Sequence, residues 1–453
     1  MPRTSTESDR DVISLIRSVA HPLVGAPSDL DPVLRRLGEA RLVLIGEASH
    51  GTHEFYRIRG EITKRLIREK GFTAIAIEGD WPDAYRVNRY VRGRSRDADA
   101  DEALSGFRRF PQWMWRNADV LDFVGWLRAH NNEMGDESAR VGFYGLDLYS
   151  LHASMDAVLR YLDTVDPEAA RRARQRYACF EHFGEDPQRY GYAASYGLTQ
   201  PCESEVVQQL VELRRRATDY ARRDGRVAAD DQFFAEENAR LVRNAERYYR
   251  AMFGSRISSW NVRDQHMAET LEHLLDFLNG QHPARAAKVV VWAHNSHLGD
   301  ARATEMGAAG ELNVGQLVRQ RHPQDARLVG FTTYTGTVTA ASDWDEPAER
   351  KSVRRALPES YEALFHEAGG QNFLIDLAAN HSSSGTLETP RLERAIGVIY
   401  RPESERLSHY FKASLTSQFD VVLHYDTTRA VEPLERTGLW NEGEAPETFP
   451  TAL

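Results

Sequence analysis

Six residues of this sequence have types and surroundings suited to hydrolytic chemistry: Glu47, His50, Arg59, Glu78, His294 and His297. Glu47 and His50 lie in GEASHG, Gly46 to Gly51, where glycines permit a tight strand-to-helix turn and Thr52 can cap the helix that follows. The spacing predicts that helix from about His53 to Lys70, with Phe55, Ile58, Ile62 and Leu66 as its buried stripe. Arg59 falls inside the stripe. A buried guanidinium needs a carboxylate, and Glu47 and Glu78 are the candidates by topology, whether the pair serves catalysis or only holds helix to sheet. Glu78 closes an otherwise apolar run, FTAIAIE, as a partner for Arg59 or as a base tuned by burial. His294 and His297 leave another apolar run in VVVWAHNSHLG; such a His-x-x-His pair can bind a metal, move protons or satisfy loop hydrogen bonds.

Other chemistries lose support by absence. Ser49 stands in G-x-x-S-x-G rather than in a G-x-S-x-G nucleophile elbow. No Walker loop, no G-x-G-x-x-G after a strand and no H-E-x-x-H occurs. Cys179 and Cys202 are too few for a disulfide framework, lack metal-finger spacing and suit a reducing cytoplasm. Water activated by His or Glu, with or without a metal, is the hydrolytic route that survives.

The elements that must position these groups are legible as short β-branched runs: Arg41 to Gly46, Thr73 to Glu78, Arg140 to Gly145, Lys288 to Ala293, Arg327 to Thr332, Asn372 to Asp376, Ala395 to Tyr400 and Asp420 to Tyr425. Continuous rather than alternating apolarity is what strands covered on both faces require. The fold class is therefore α/β, a mostly parallel central sheet with helices on both faces. Glu47 and His50, Glu78 and Asp80, Asp147, and His294 and His297 follow four successive strands, so titratable groups gather at the carboxyl edge where ligands bind in such sheets. From about Leu151 the pattern turns to long charged amphipathic stretches, such as Glu203 to Arg222 and Asp231 to Met252, broken by FGEDPQRYGYAASYG and Pro201. The expected organisation is residues 1–150 as the first part of the α/β core with N-terminal helices, 151–285 as a helical insertion forming a second lobe, and 286–453 as the second part of the core.

The composition, 41% hydrophobic and 27% charged over 453 residues, is that of a folded enzyme-sized chain. A formal net charge of −10 argues against nucleic acid as partner. The start MPRTSTESDRDV carries no signal core, and no apolar run approaches the ~18 residues of a membrane span, so a cytoplasmic protein is expected.

LVLIGEASHGTHEF with Arg59 nine residues after His50, FTAIAIEGDW and VVVWAHNSH together resemble the erythromycin esterase family. Weaker likeness continues through WNVRDQHMAETL, NVGQLVRQ, IGVIYRPESERLSHYF and QFDVVLHYDTTRAVEPL, nearly the whole chain. The resemblance implies an α/β protein with a helical lobe, whose characterised relatives open the lactone of 14-membered macrolides, an antibiotic-resistance activity. By motif it carries the functional positions over to Glu47, His50, Arg59, Glu78, His294 and His297. The expected mechanism is metal-independent and needs no cofactor. His50, oriented by Glu47 or Glu78, takes a proton from the water that attacks a small-molecule ester or lactone, while Arg59 and one of His294 or His297 stabilise the oxyanion. His294 has an equally good approach as base. Two alternatives are a zinc or manganese hydrolase with His50, His294 and a Glu as ligands, and a non-catalytic binding or biosynthetic accessory protein.

Overall fold

The computed structural model describes residues 7–184, 186–221, 226–254, 256–283, 285–380, 387 and 389–443. Met1 to Thr6, within the segment read for a signal core, Glu185 of the Gly-rich break and Arg222 of one predicted helical stretch lie outside the described residues.

Among the described residues the strands are, in chain order, β1 (His21–Pro22), β2 (Leu42–Ile45), β3 (Ala74–Asp80), β4 (Gly142–Asp147), β5 (Val289–Trp292), β6 (Ala326–Ala340), β7 (Glu349–Val353), β8 (Phe373–Asp376), β9 (Arg391–Arg394), β10 (Tyr410–Ala413) and β11 (Val421–Thr428). Nine form one sheet in the order β1-β8-β11-β6-β2-β5-β3-β4, with β7 paired to β6. From β11 to β4 every pair on that path is parallel, and β8 and β1 add an antiparallel edge. β9 and β10 form a separate antiparallel ribbon.

The period of two along each strand divides the core. Leu42, Leu44, Ala74, Ala76, Val289 and Val291 join one apolar cluster with the helical segment. Val43, Ile45, Ile75, Ile77, Val290 and Trp292 join the other, with Phe55, Ile58, Ile62 and Leu66 of the helix His53–Lys70. Helices therefore cover both faces, which explains the uninterrupted apolar runs. That helix ends at Gly71, whose φ of 71° is the left-handed conformation glycine tolerates best, and the Phe72 N–H then donates to the Leu66 carbonyl at 3.2 Å. Between Leu151 and Gln281 the described elements are all helical, the longest being Glu203–Ala221, Arg226–Met252 and Arg256–Gln281. Ala239, Val242, Leu271 and Leu274 are buried against the first cluster.

Three local expectations are corrected. Ala395 to Tyr400 is no strand: Ile396 bridges Ser49 and Ile399 bridges Ala341, so the segment crosses the carboxyl edge instead of extending the sheet. Thr52 sits at the helix N-cap without capping it, because its hydroxyl bonds Ser49 Oγ instead. Cys179 and Cys202, read as too few for a disulfide framework and as suited to a reducing cytoplasm, are joined in a disulfide with Cα atoms 6.0 Å apart. No described helix is long and apolar enough to cross a membrane.

Candidate functional site

The loop after β2 is shaped by close approach. Neither Gly46 nor Gly51 has a positive φ. A Cβ on Gly46 would stand 2.2 Å from Asn295 Oδ1, and one on Gly51 only 1.8 Å from the Thr339 carbonyl oxygen. These glycines let the loop press against the start of the helix Asn295–Leu298 and against β6, where Asn295 N–H donates to the Glu47 carbonyl at 2.8 Å. Gly51→Ala is expected to cost about 1–3 kcal/mol, the range for overpacking a tight interior, read as a lower Tm.

From this loop Glu47, fully buried, accepts a hydrogen bond from His50 Nδ1 at 3.0 Å. Nδ1 therefore carries the proton, and Nε2 is the ring atom left for a molecule in the cavity that His50 lines. The other Glu47 oxygen faces Arg59 Nη1 at 3.3 Å. Arg59 is 0% exposed, with its guanidinium 4.5 Å from the Tyr56 ring centroid and 4.8 Å from that of Trp292. It stands behind Glu47 and takes no part in the cavity wall.

Glu78 sits in a bulge. β3 pairs Ile77 with Gly145 and then Asp80 with Asp147, one residue more on β3 than on β4. Such an insertion re-aims side chains at the strand end. Here Glu78 Oε2 accepts the His294 backbone N–H at 2.8 Å, and Oε1 meets Arg263 Nη2 at 2.7 Å and His297 Nε2 at 3.3 Å. The cation bonded to Glu78 is thus Arg263, where the sequence reading offered Arg59. Burial alone would raise the Glu78 carboxyl, but His297, His50 and Arg263 outweigh it and hold the group well below the usual carboxylate range.

The two histidines after β5 are driven apart. His294 is buried with its ring 4.8 Å from that of His50, and its Nδ1 is 2.8 Å from Ser296 Oγ. Burial, with His50 beside it, pushes its pKa down to about 3. His297 Nδ1 lies 3.0 Å from both oxygens of Asp264, and its ring stacks on Trp260 at 4.5 Å. Burial disfavours its charge, but Asp264 and Glu78 prevail and push its pKa up to about 9. At neutral pH one ring is uncharged and its neighbour is an imidazolium, the pattern that separates acid from base in one site.

His50, Glu78, His294 and His297 line one cavity of about 490 Å³; Glu47 and Arg59 lie behind its wall. Trp260, Arg263, Asp147 and Tyr149 join the lining, and Asp264 stands behind His297. Arg263 forks onto Asp147 at 3.0 and 2.7 Å and rests 4.8 Å from the Tyr149 ring centroid. The sequence reading gave none of the three residues of helix Arg256–Gln281 a role, although a contiguous Arg-Asp pair one turn after a Trp on a helix returning to the sheet was the available signal. Asp80, noted at the end of β3, also lines the cavity and pairs with Arg109 at 3.1 Å. Among the described residues no three of His, Cys, Asp and Glu converge in a metal-holding group.

Comparison with known proteins gives the family. The chain is 23% identical over 323 residues to erythromycin esterase type II of Escherichia coli, covering 69% of this chain and 73% of that protein. A Bacillus cereus protein of solved structure superposes with a TM-score of 0.77 at 18% identity, over 95% of this chain and 100% of the other. A mutant of the erythromycin esterase EreC in its open conformation gives 0.63 at 17%, over 90% and 95%. The erythromycin esterase family model matches residues 67–428, a span that holds Glu78, Arg263, His294 and His297 while Glu47, His50 and Arg59 precede it. With about four-fifths of its length matched, the chain belongs to the erythromycin esterase family.

Proposed function

We propose that this protein hydrolyses a carboxylic ester or lactone by activating water, without a metal. The observation that carries the reading is the Glu47–His50 contact of 3.0 Å, which leaves His50 Nε2 at a cavity whose wall also holds Glu78, His294 and His297. His50 takes a proton from water as the oxygen attacks the carbonyl carbon, and Glu47 stabilises the imidazolium that forms. Arg263, a cation in the wall, stabilises the oxyanion in place of Arg59. A base of this kind contributes typically ~10² to 10⁴ in rate and each oxyanion donor ~10² to 10³. Small-molecule substrates fit a cavity of about 490 Å³, within the range of ligand pockets. Macrolide lactones are the substrate class that family membership favours, and resistance to such antibiotics would be the consequence.

Against a zinc or manganese site built on His50, His294 and a Glu stands Arg263, whose guanidinium 2.7 Å from Glu78 would repel a dication. The test is hydrolysis of a panel of aryl esters and lactones, a 14-membered macrolide among them, before and after dialysis against a chelator. Activity unchanged by the chelator is the expected result. Loss restored by zinc or manganese would replace this reading with the metal one, and no hydrolysis of any ester would replace it with a binding or accessory role.

A further inference from the structure

The His297 clamp invites a more specific role. Its ring meets Asp264 on one side and Glu78 on the other, Arg263 Nη1 lies 3.0 Å from the same Nε2 that faces Glu78, and Trp260 holds the ring plane. The charged and titratable groups around it are Asp264 and Arg263 from helix Arg256–Gln281, Glu78 from β3, and His294 with His50 from the loops after β5 and β2. Asp264 is 0% exposed, sits behind His297 rather than in the cavity wall, and receives the Val314 N–H at 3.0 Å, so its carboxylate is fixed in place.

We infer that His297 is the proton donor to the leaving oxygen of the ester, and that Asp264 is the positioning residue that keeps this donor loaded. This deepens the esterase reading and rests on it. In balance, water adds to the carbonyl carbon as His50 takes one proton. The carbon–oxygen bond to the leaving group then breaks, and that oxygen takes the proton from His297 Nε2. As Nε2 loses its proton, Arg263 Nη1 can donate to the lone pair exposed, at its present 3.0 Å. His50 then releases its proton, His297 regains one, the product acid ionises, and the net products are a carboxylate, an alcohol and a proton. His297 is flanked by two carboxylates, Asp264 at 3.0 Å and Glu78 at 3.3 Å, which favour its imidazolium and push its pKa up to about 9, whereas His294 Nδ1 meets the Ser296 hydroxyl at 2.8 Å; this assigns the donor to one of two histidines three residues apart.

The geometry predicts effects of opposite sign: Asp264 favours the imidazolium, and Arg263 opposes it. The experiment compares Asp264→Asn with Asp264→Glu on two esters of one acid, a nitrophenyl ester whose leaving group needs no proton and an alkyl ester whose leaving group does. Asp264→Asn is expected to cut alkyl ester turnover at least about tenfold and the nitrophenyl ester only a few-fold, with Asp264→Glu close to wild type. In histidine-labelled protein, NMR should show His297 titrating near 9 in the wild type and well below that in Asp264→Asn. Equal losses on both esters, or a wild-type His297 titrating near its ordinary 6.5, would overturn the assignment. If the wild type cleaves neither ester, the esterase reading and the donor role fall together, while the NMR titration still reports whether the clamp charges His297.

Discussion

His50→Ala is expected to lower ester hydrolysis by at least ~10³ while the Tm stays within a few degrees of wild type. The ring is 6% exposed and belongs to a cavity wall, so its removal enlarges an existing space instead of opening a void in the packed interior. Two groups could in principle take over the proton. His294 lies 4.8 Å away ring to ring, but with its pKa near 3 it is a weak base whose protonation is strongly disfavoured by burial. Glu78 is held well below the usual carboxylate range by the cations around it and is a poor base as well. The loss should therefore be nearly complete. Turnover in His50→Ala within tenfold of wild type would remove His50 from the mechanism and direct attention to His294. The same logic makes the His50 and His294 substitutions separable: His294→Ala removes a neutral ring and a repulsion from His50, so its effect should be smaller.

How much of this was legible depended on which residues break a local rule. Arg59 broke one visibly, as a charge within the stripe Phe55, Ile58, Ile62, Leu66, and so did Glu78 at the end of an apolar strand. Both anomalies lie at the carboxyl edge of the sheet, because continuous apolar runs require two covered faces and parallel strands bring their carboxyl ends together. What the pattern could not supply was partner choice. Arg59 and Arg263 are both opposite carboxylates, and which pairs with Glu78 is decided by a one-residue bulge between Ile77 and Asp80 that no periodicity announces. Arg263 and Asp264 escaped notice because a charged pair on a long amphipathic helix reads as a solvated face; Asp264 is buried and Arg263 largely covered because that helix packs against β4 and against His297 after β5. β9 and β10, RLER and YFKA, were missed as strands because short, polar and ribbon-forming segments carry no run of core residues. Ala395 to Tyr400 misled for the opposite reason: Ile396 and Tyr400 are buried with Val338, Ala340 and Val353, and the segment runs beside the loop that carries His50, whose N–H donates to the Ile396 carbonyl at 3.3 Å.

Arg59→Lys is the other substitution with a large expected effect, and it acts without touching substrate. The guanidinium lies between the Tyr56 and Trp292 rings, with Trp115 at 5.9 Å, and faces Glu47 Oε2 at 3.3 Å in a fully buried setting. A planar cation can stack on two rings and still present an edge to a carboxylate; an ammonium on a flexible stem, strongly hydrated in its ordinary state, cannot do both. Desolvated cation–π contacts are worth roughly 2 kcal/mol, and breaking a buried ion pair costs roughly 3–5 kcal/mol, so lysine should lower the Tm measurably. The larger consequence is on turnover. Glu47 uses one oxygen for Arg59 and the other for His50, so a carboxylate that loses its brace loses the orientation it gives the base, and a fall of ~10² or more is expected. A helix prop alone would leave surviving protein within a few-fold of wild type, which turnover corrected for folded fraction will distinguish. The decisive measurement is the double variant. If Arg59 acts through Glu47 on His50, adding Arg59→Lys to His50→Ala should reduce the residual activity little further, because the group it orients is already gone. Losses that multiply across the two substitutions would show that Arg59 serves the reaction by another route.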